Sequence, residues 1–147
     1  EFIKEYISLN EIRIEASIDF SVSVVKDESV DKNKAIEIPP FLIQPLVENS
    51  IEHGIKNLKG AKKIWLNIIV NKESIKIDVL DNGTGGIVNY KKKRKEGTEI
   101  HSLDIIQERI KVMYGGSNNS FITSERFDEN GNACGSIASL NLSRKNE

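Results

Sequence analysis

Apolar residues recur along this chain with two rhythms, one near 3.6 residues and one of two. Residues 1–16 set Phe2, Ile3, Tyr6, Ile7, Leu9, Ile12 and Ile14 among charged neighbours at helical spacing, which predicts an amphipathic helix. The period then shortens: Ile18, Phe20, Val22 and Val24 alternate with Asp19, Ser21 and Ser23, as in a strand with one buried face. Residues 26–37 are polar and read as a loop. Pro39 and Pro40 open a second helix, because proline suits an extended approach and a first helical turn. Leu42, Ile43, Leu46, Val47 and Ser50 form its inner side, Pro45 distorts one turn, and Gly54 supplies the stop. After a Lys-rich connection at 56–63, residues 64–70 and 75–80 alternate cleanly on either side of Asn71-Lys72-Glu73-Ser74, which predicts an antiparallel hairpin. Leu103, Ile106, Ile110 and Met113 mark a third helix. A closing hairpin follows, 121–127 and 136–142 around the Asn130-Gly131 turn signal.

Composition narrows the classes. At 147 residues the chain is one domain's worth, without internal repeat. A net charge of −1 with 29% charged residues gives no global field for nucleic acid or an anionic membrane, so no nucleic-acid partner is expected. The single cysteine, Cys134, excludes an internal disulfide and suits a reducing compartment. No apolar run approaches the roughly 18 residues of a membrane span, and no signal peptide is visible. The first residue, Glu1, falls in mid-helical pattern, which reads as a piece of a longer protein. Spacing suggests no Ser/His/Asp set and no His/Cys metal cluster. Neither a P-loop nor a Gly-x-Gly-x-x-Gly pattern opening a helix is present.

Two stretches carry candidate chemistry. On the second helix Asn49, Glu52 and His53 share a face away from the apolar side, an arrangement that on most helices is solvated surface. After the 75–80 strand comes Asp81-Asn82-Gly83-Thr84-Gly85-Gly86, by itself an ordinary glycine turn. The whole strings are more specific. Pro39-Pro40 followed by Gln44-Pro45-Leu46-Val47-Glu48-Asn49-Ser50-Ile51-Glu52-His53-Gly54 resembles the N box of LytS-like sensor histidine kinases. The Asp81 turn resembles the "D-x-G-x-G" G1 box of the gyrase, chaperone, kinase and mismatch-repair ATPase superfamily. Tyr6 to Arg13, Ser102 to Ile110 with Tyr114-Gly115, and Gly135-Ser136 resemble further segments of the same kinases.

The resemblance implies a fold and a function. The fold is an α/β two-layer sandwich, the Bergerat ATPase fold, with a mixed, largely antiparallel sheet of about five strands and about three helices on one face. Residues 1–16 would lead into an ATP-binding catalytic domain at 17–147. That domain holds Mg·ATP and donates the γ-phosphate to a histidine on a separate domain, phosphoryl transfer being mostly positioning and charge neutralisation. Asn49 takes the Mg²⁺-ligating position, and a hard oxygen ligand suits that ion. Asp81 accepts a hydrogen bond from the adenine amine, and Gly83 and Gly85 let backbone approach the nucleotide. His53 walls the site, Ser102 and Leu103 begin the helix that meets phosphate, and Ser136 stands near the nucleotide. Glu48 is a candidate water-orienting residue or base, although helical geometry turns it about 100° from Asn49. The run Lys91-Lys92-Lys93-Arg94-Lys95 falls where the family has its ATP lid.

Two departures stand out. Glu52 occupies a position where the family often has Lys or Arg, so it is expected to repel phosphate and to make nucleotide binding weak and Mg²⁺-dependent. The G2 glycines are replaced in Ile100-His101-Ser102-Leu103. Neither His53 nor His101 has the sequence surroundings of the family's phosphoacceptor, which is expected upstream. The implied partners are that acceptor domain, a response regulator and a second copy of the full-length protein, with the domain on the cytoplasmic side of a membrane-anchored parent. A non-catalytic nucleotide-binding or interaction module, or a serine kinase or ATPase of the same superfamily, remains open beside this reading.

Overall fold

In the computed structural model, residues 1–33, 35–84, 102–114 and 119–144 are described, Ser102 and Leu103 by backbone alone. Helix α1 (Phe2–Ile14) leads to strand β1 (Ile18–Lys26), and α2 (Pro40–Asn49) runs without interruption into a π-helical turn (Ser50–Ile55). Strands β2 (Lys62–Val70) and β3 (Ser74–Asp81) form a hairpin; α3 (Ser102–Tyr114) precedes β4 (Ser120–Phe127) and β5 (Ala133–Ser143). The five strands lie in the order β1-β2-β3-β5-β4. Only β1 and β2 pair in parallel, as a crossover through α2 allows; the other pairs are antiparallel. This is the mixed two-layer sandwich the sequence implies.

The core lies between α2 and the middle of the sheet. Leu42, Leu46, Val47, Ile51 and Ile55 are fully buried with Ile64, Val70, Ile77 and Leu140, and α3 adds Ile106 and Ile110. Each such aliphatic side chain contributes about 1.5–3 kcal/mol by leaving water, so α2 tolerates an internal proline. Pro45 does not end the helix. Its missing N–H deprives the Phe41 carbonyl of an intrahelical donor. Arg109 of α3 donates from Nη1 to that oxygen at 3.1 Å, and its guanidinium lies 5.6 Å from the Phe41 ring centre. At the distal hairpin Gly131 adopts φ +78°, and the Asp128 N–H donates to the Asn132 carbonyl, as the turn signal predicts.

Three expectations are corrected. Gly54 does not stop the helix but lies inside the π-helical turn, where the Lys56 N–H donates to the Ile51 carbonyl five residues back. On β1 only Ile18 is buried and Phe20 half-buried, while Val22 and Val24 are exposed. β1 is an edge strand of the sheet. Leu9 and Ile12 of α1 are likewise exposed, and Ile7 and Asn10 are the buried positions of that helix.

Candidate functional site

Three elements converge at one end of the sheet: the last residue of β3, the π-helical turn after α2, and the start of β5. Asp81 is 0% exposed and faces Ser136 across the β3–β5 ladder. Its Oδ1 accepts the Gly83 N–H at 2.9 Å and the Ser136 N–H at 3.2 Å, and its Oδ2 accepts the Ser136 hydroxyl. Oδ2, engaged by that single hydroxyl, keeps an accepting lone pair. The Asp81 backbone oxygen accepts Nη1 of Arg126 at 2.9 Å, and that guanidinium sits 5.4 Å from the Trp65 ring centre on the sheet's outer face.

Glycines let these groups approach. A Cβ on Gly54 would lie 2.8 Å from the Asp81 carboxyl, and one on Gly83 would lie 2.2 Å from the Gly54 carbonyl oxygen. The helix that carries Asn49 therefore meets the Asp81 turn backbone to backbone, which only glycine permits on both sides. Asn82 fixes the same turn to β2. Its Oδ1 accepts the Lys63 N–H at 2.7 Å, and its Nδ2 donates to the Ala61 carbonyl at 2.8 Å.

Asn49 lies five residues before Gly54, about 7 Å along a helix axis. It is 5% exposed, and its Oδ1 is buried without a hydrogen-bond partner among the described residues. A buried carbonyl oxygen left unpaired costs about 1–3 kcal/mol. The chemistry of that oxygen fits a hard cation. His53 is half-buried on the π-helical turn.

Two predicted residues face elsewhere. The Glu52 carboxylate is not an unpaired charge confronting phosphate: Oε1 pairs with Arg13 of α1 and Oε2 with Lys56 at 3.2 Å. Partial burial pushes its pKa up, but the hydrogen bonds and charges of Arg13 and Lys56 together outweigh this and hold it below the usual value. Glu48 lines the same groove between α1 and α2, with Tyr6, Leu9, Asn10 and Arg13. There burial, and then the Glu48 charge, push the Tyr6 phenol above its ordinary range. Gly85, the Lys91–Lys95 run and His101 fall outside the described residues, and the side chains of Ser102 and Leu103 are not described.

Sequence reasoning passed over three contributors. Lys62 is 9% exposed and caps the π-helical turn. It continues inward the row of Ile64, Leu66 and Ile68, a signal that was readable. Arg126 and Arg13 act through partners distant in sequence, which no local pattern reveals. A cavity of about 630 Å³ opens at the opposite end of the sheet, between Val30, Ile36, Ile75, Tyr114 and Leu142, and shares no residue with this site. Among the described residues no helix is long and apolar enough to cross a membrane, and no cluster of His, Cys, Asp and Glu could hold a metal by itself.

No family model matches the chain. It is 29% identical over 125 residues to the sensor histidine kinase/phosphatase LytS of Staphylococcus aureus, a match covering 78% of this chain and 20% of that protein. The chain thus spans only a fifth of its curated relative. Among solved structures, the nucleotide-free catalytic domain of the histidine kinase ThkA superposes with TM-score 0.61 at 18% identity, covering 97% of this chain and 88% of that one. The ThkA complex with the response regulator TrrA superposes equally, TM-score 0.61 at 18% identity, over 97% of this chain and 39% of that one. The strand order, the ordered motifs and these relatives agree: the chain has the fold of histidine kinase catalytic domains and is similar in sequence to the LytS sensor histidine kinase.

Proposed function

We propose that this domain binds Mg·ATP at the Asp81 end of the sheet and presents the γ-phosphate to a histidine on another domain or subunit. The observation that carries the reading is Asp81, a wholly buried carboxylate ringed by Gly54, Gly83 and Ser136 and held by donors that leave Oδ2 able to accept. An acceptor there suits the exocyclic amine of adenine and opposes the carbonyl of guanine. Asn49 offers its unpaired Oδ1 to Mg²⁺, which when bound neutralises phosphate charge. Glycine at 83 and 85 admits the nucleotide to the backbone, while Ser136 holds Asp81 in orientation. His53, Ser102 and Leu103 complete the proposed wall. Glu52 leaves the set because Arg13 and Lys56 hold it, and Glu48, facing α1, is no longer placed for a base.

In this reading the phosphoacceptor lies on another part of the parent protein, which acts as a homodimer on the cytoplasmic side of a membrane. Its product is read by a response regulator, the partner ThkA has in its own complex. A nucleotide-binding module without turnover is the second reading, favoured by Ile100-His101-Ser102 in place of glycines. Calorimetric titration of Mg·ATP, Mg·ADP and Mg·GTP into the chain tests the first: adenine nucleotides bind and GTP does not. Asp81→Asn should weaken Mg·ATP by about 1.5–3 kcal/mol, the range for a hydrogen bond to a charged group. The fold should survive, because the amide oxygen can still accept both N–H groups while the Ser136 hydroxyl rotates to accept from Nδ2. Unchanged affinity in that variant would remove Asp81 from the site.

A further inference from the structure

We infer that Lys62 is a positioning residue for adenine recognition, setting the wall of the site that Gly54 forms; the inference rests on the adenine reading of Asp81. Lys62 is the first residue of β2 and points to the helical side of the sheet, in the row of Ile64 and Leu66. At 9% exposure its ammonium is sheltered, and a buried cation is kept only where acceptors surround it. Its Nζ donates to the carbonyls of Ile55 at 2.9 Å, Lys56 at 3.4 Å and Leu58. They belong to the last residue of the π-helical turn, its C-cap and the chain just beyond, at the negative end of the helix that begins at Pro40.

A π-helical turn is uncommon, and occurs frequently at functional sites. Here it sets Gly54 against Asp81 and Gly83 at distances that admit no Cβ. The neighbouring backbone of β2 holds the opposing turn, through Asn82 bonded to Ala61 and Lys63. One short segment, residues 61–63, therefore grips both walls of the Asp81 niche: Asn82 from one side, the helix end from the other. Loss of the ammonium would release the Gly54 wall and leave three carbonyls without their cation. Asn49 lies more than one turn earlier, so the phosphate-facing end should change much less.

The test compares Mg·ATP with magnesium tripolyphosphate, which shares the phosphates and lacks adenine, on the 147-residue chain. In the parent, Mg·ATP should bind tighter than tripolyphosphate. Lys62→Met should weaken Mg·ATP about tenfold while changing tripolyphosphate by less than about twofold. Lys62→Gln, which keeps an N–H donor group without the charge, should fall between, and it serves if the Met variant does not fold. Hydrogen exchange should show faster amides at 54–58 in either variant, with the β2–β3 hairpin unchanged. A folded variant with parental Mg·ATP affinity, or an equal loss for both ligands, would overturn the role of Lys62. A parent that does not distinguish the two ligands would overturn the adenine reading and this inference with it.

Discussion

Glu52→Lys tests whether charge along the sequence or contact in the fold decides what this residue does. On charge alone, exchanging a carboxylate for an ammonium three residues from Asn49 should favour triphosphate. In the structure that carboxylate bridges Arg13 and Lys56, with side-chain exposures of 28% for Glu52 and 48% for Arg13. Pairs this exposed are worth about 0.2–1 kcal/mol each, discounted for solvent. A lysine would remove both and set a third cation beside the two, a repulsion of similar size, so the total loss is about 1–3 kcal/mol. For a chain of this length that lowers Tm by about 3–10 °C. The fall should shrink in high salt, because screening weakens exposed charges. Arg13→Glu in the same chain should restore much of the loss by reversing the pair. The sign with pH follows from the lowered Glu52 pKa. The contribution is complete above the ordinary value of 4.5 and is lost as pH falls through the lower folded value. Glu52→Gln should flatten that acid limb of the stability curve. The measurements are thermal unfolding across salt and pH, with Mg·ATP titration alongside. A Glu52→Lys chain of parental Tm that binds Mg·ATP tighter would show that the carboxylate faces phosphate and that its pairing with α1 is wrong.

Gly83→Ala should cost about 1–3 kcal/mol and abolish nucleotide binding, since its methyl group would meet the Gly54 backbone at 2.2 Å; denaturant unfolding and titration measure the two effects. Arg109→Met should cost about 0.5–1.5 kcal/mol in the parent and less in a Pro45→Ala background, where the restored N–H can take the Phe41 carbonyl; a double-mutant cycle reads the difference. The chain alone should not autophosphorylate, because neither His53 nor His101 has the acceptor's surroundings; acid-labile label from γ-labelled ATP, lost in His101→Ala, would refute this.

The order of elements was legible before any coordinates, because periodicity registers which face of each segment leaves water. Alternation marked β2 and β3, spacings of three and four marked α2 and α3, and Asn130-Gly131 marked the distal turn. Motif strings pointed to Asn49, Asp81, Gly83 and Ser136, and tertiary structure brings Asp81, Gly83 and Ser136 into contact through the β3–β5 ladder. What the sequence could not decide was how far a segment's partners reach. Edge position left Val22 and Val24 uncovered, since a period of two says which way side chains point and not what lies opposite. Gly54 read as a stop because glycine ends many helices; only the approach of Asp81 and Gly83 shows why a side chain is excluded there. Glu52 read as a charge facing phosphate because its neighbours in the chain suggested it, whereas Arg13, thirty-nine residues earlier, turns it toward α1. Local pattern fixes element type and the direction in which side chains point, which depend on near neighbours. The partner of a charge or a glycine is set by packing between distant segments, and so belongs to the fold.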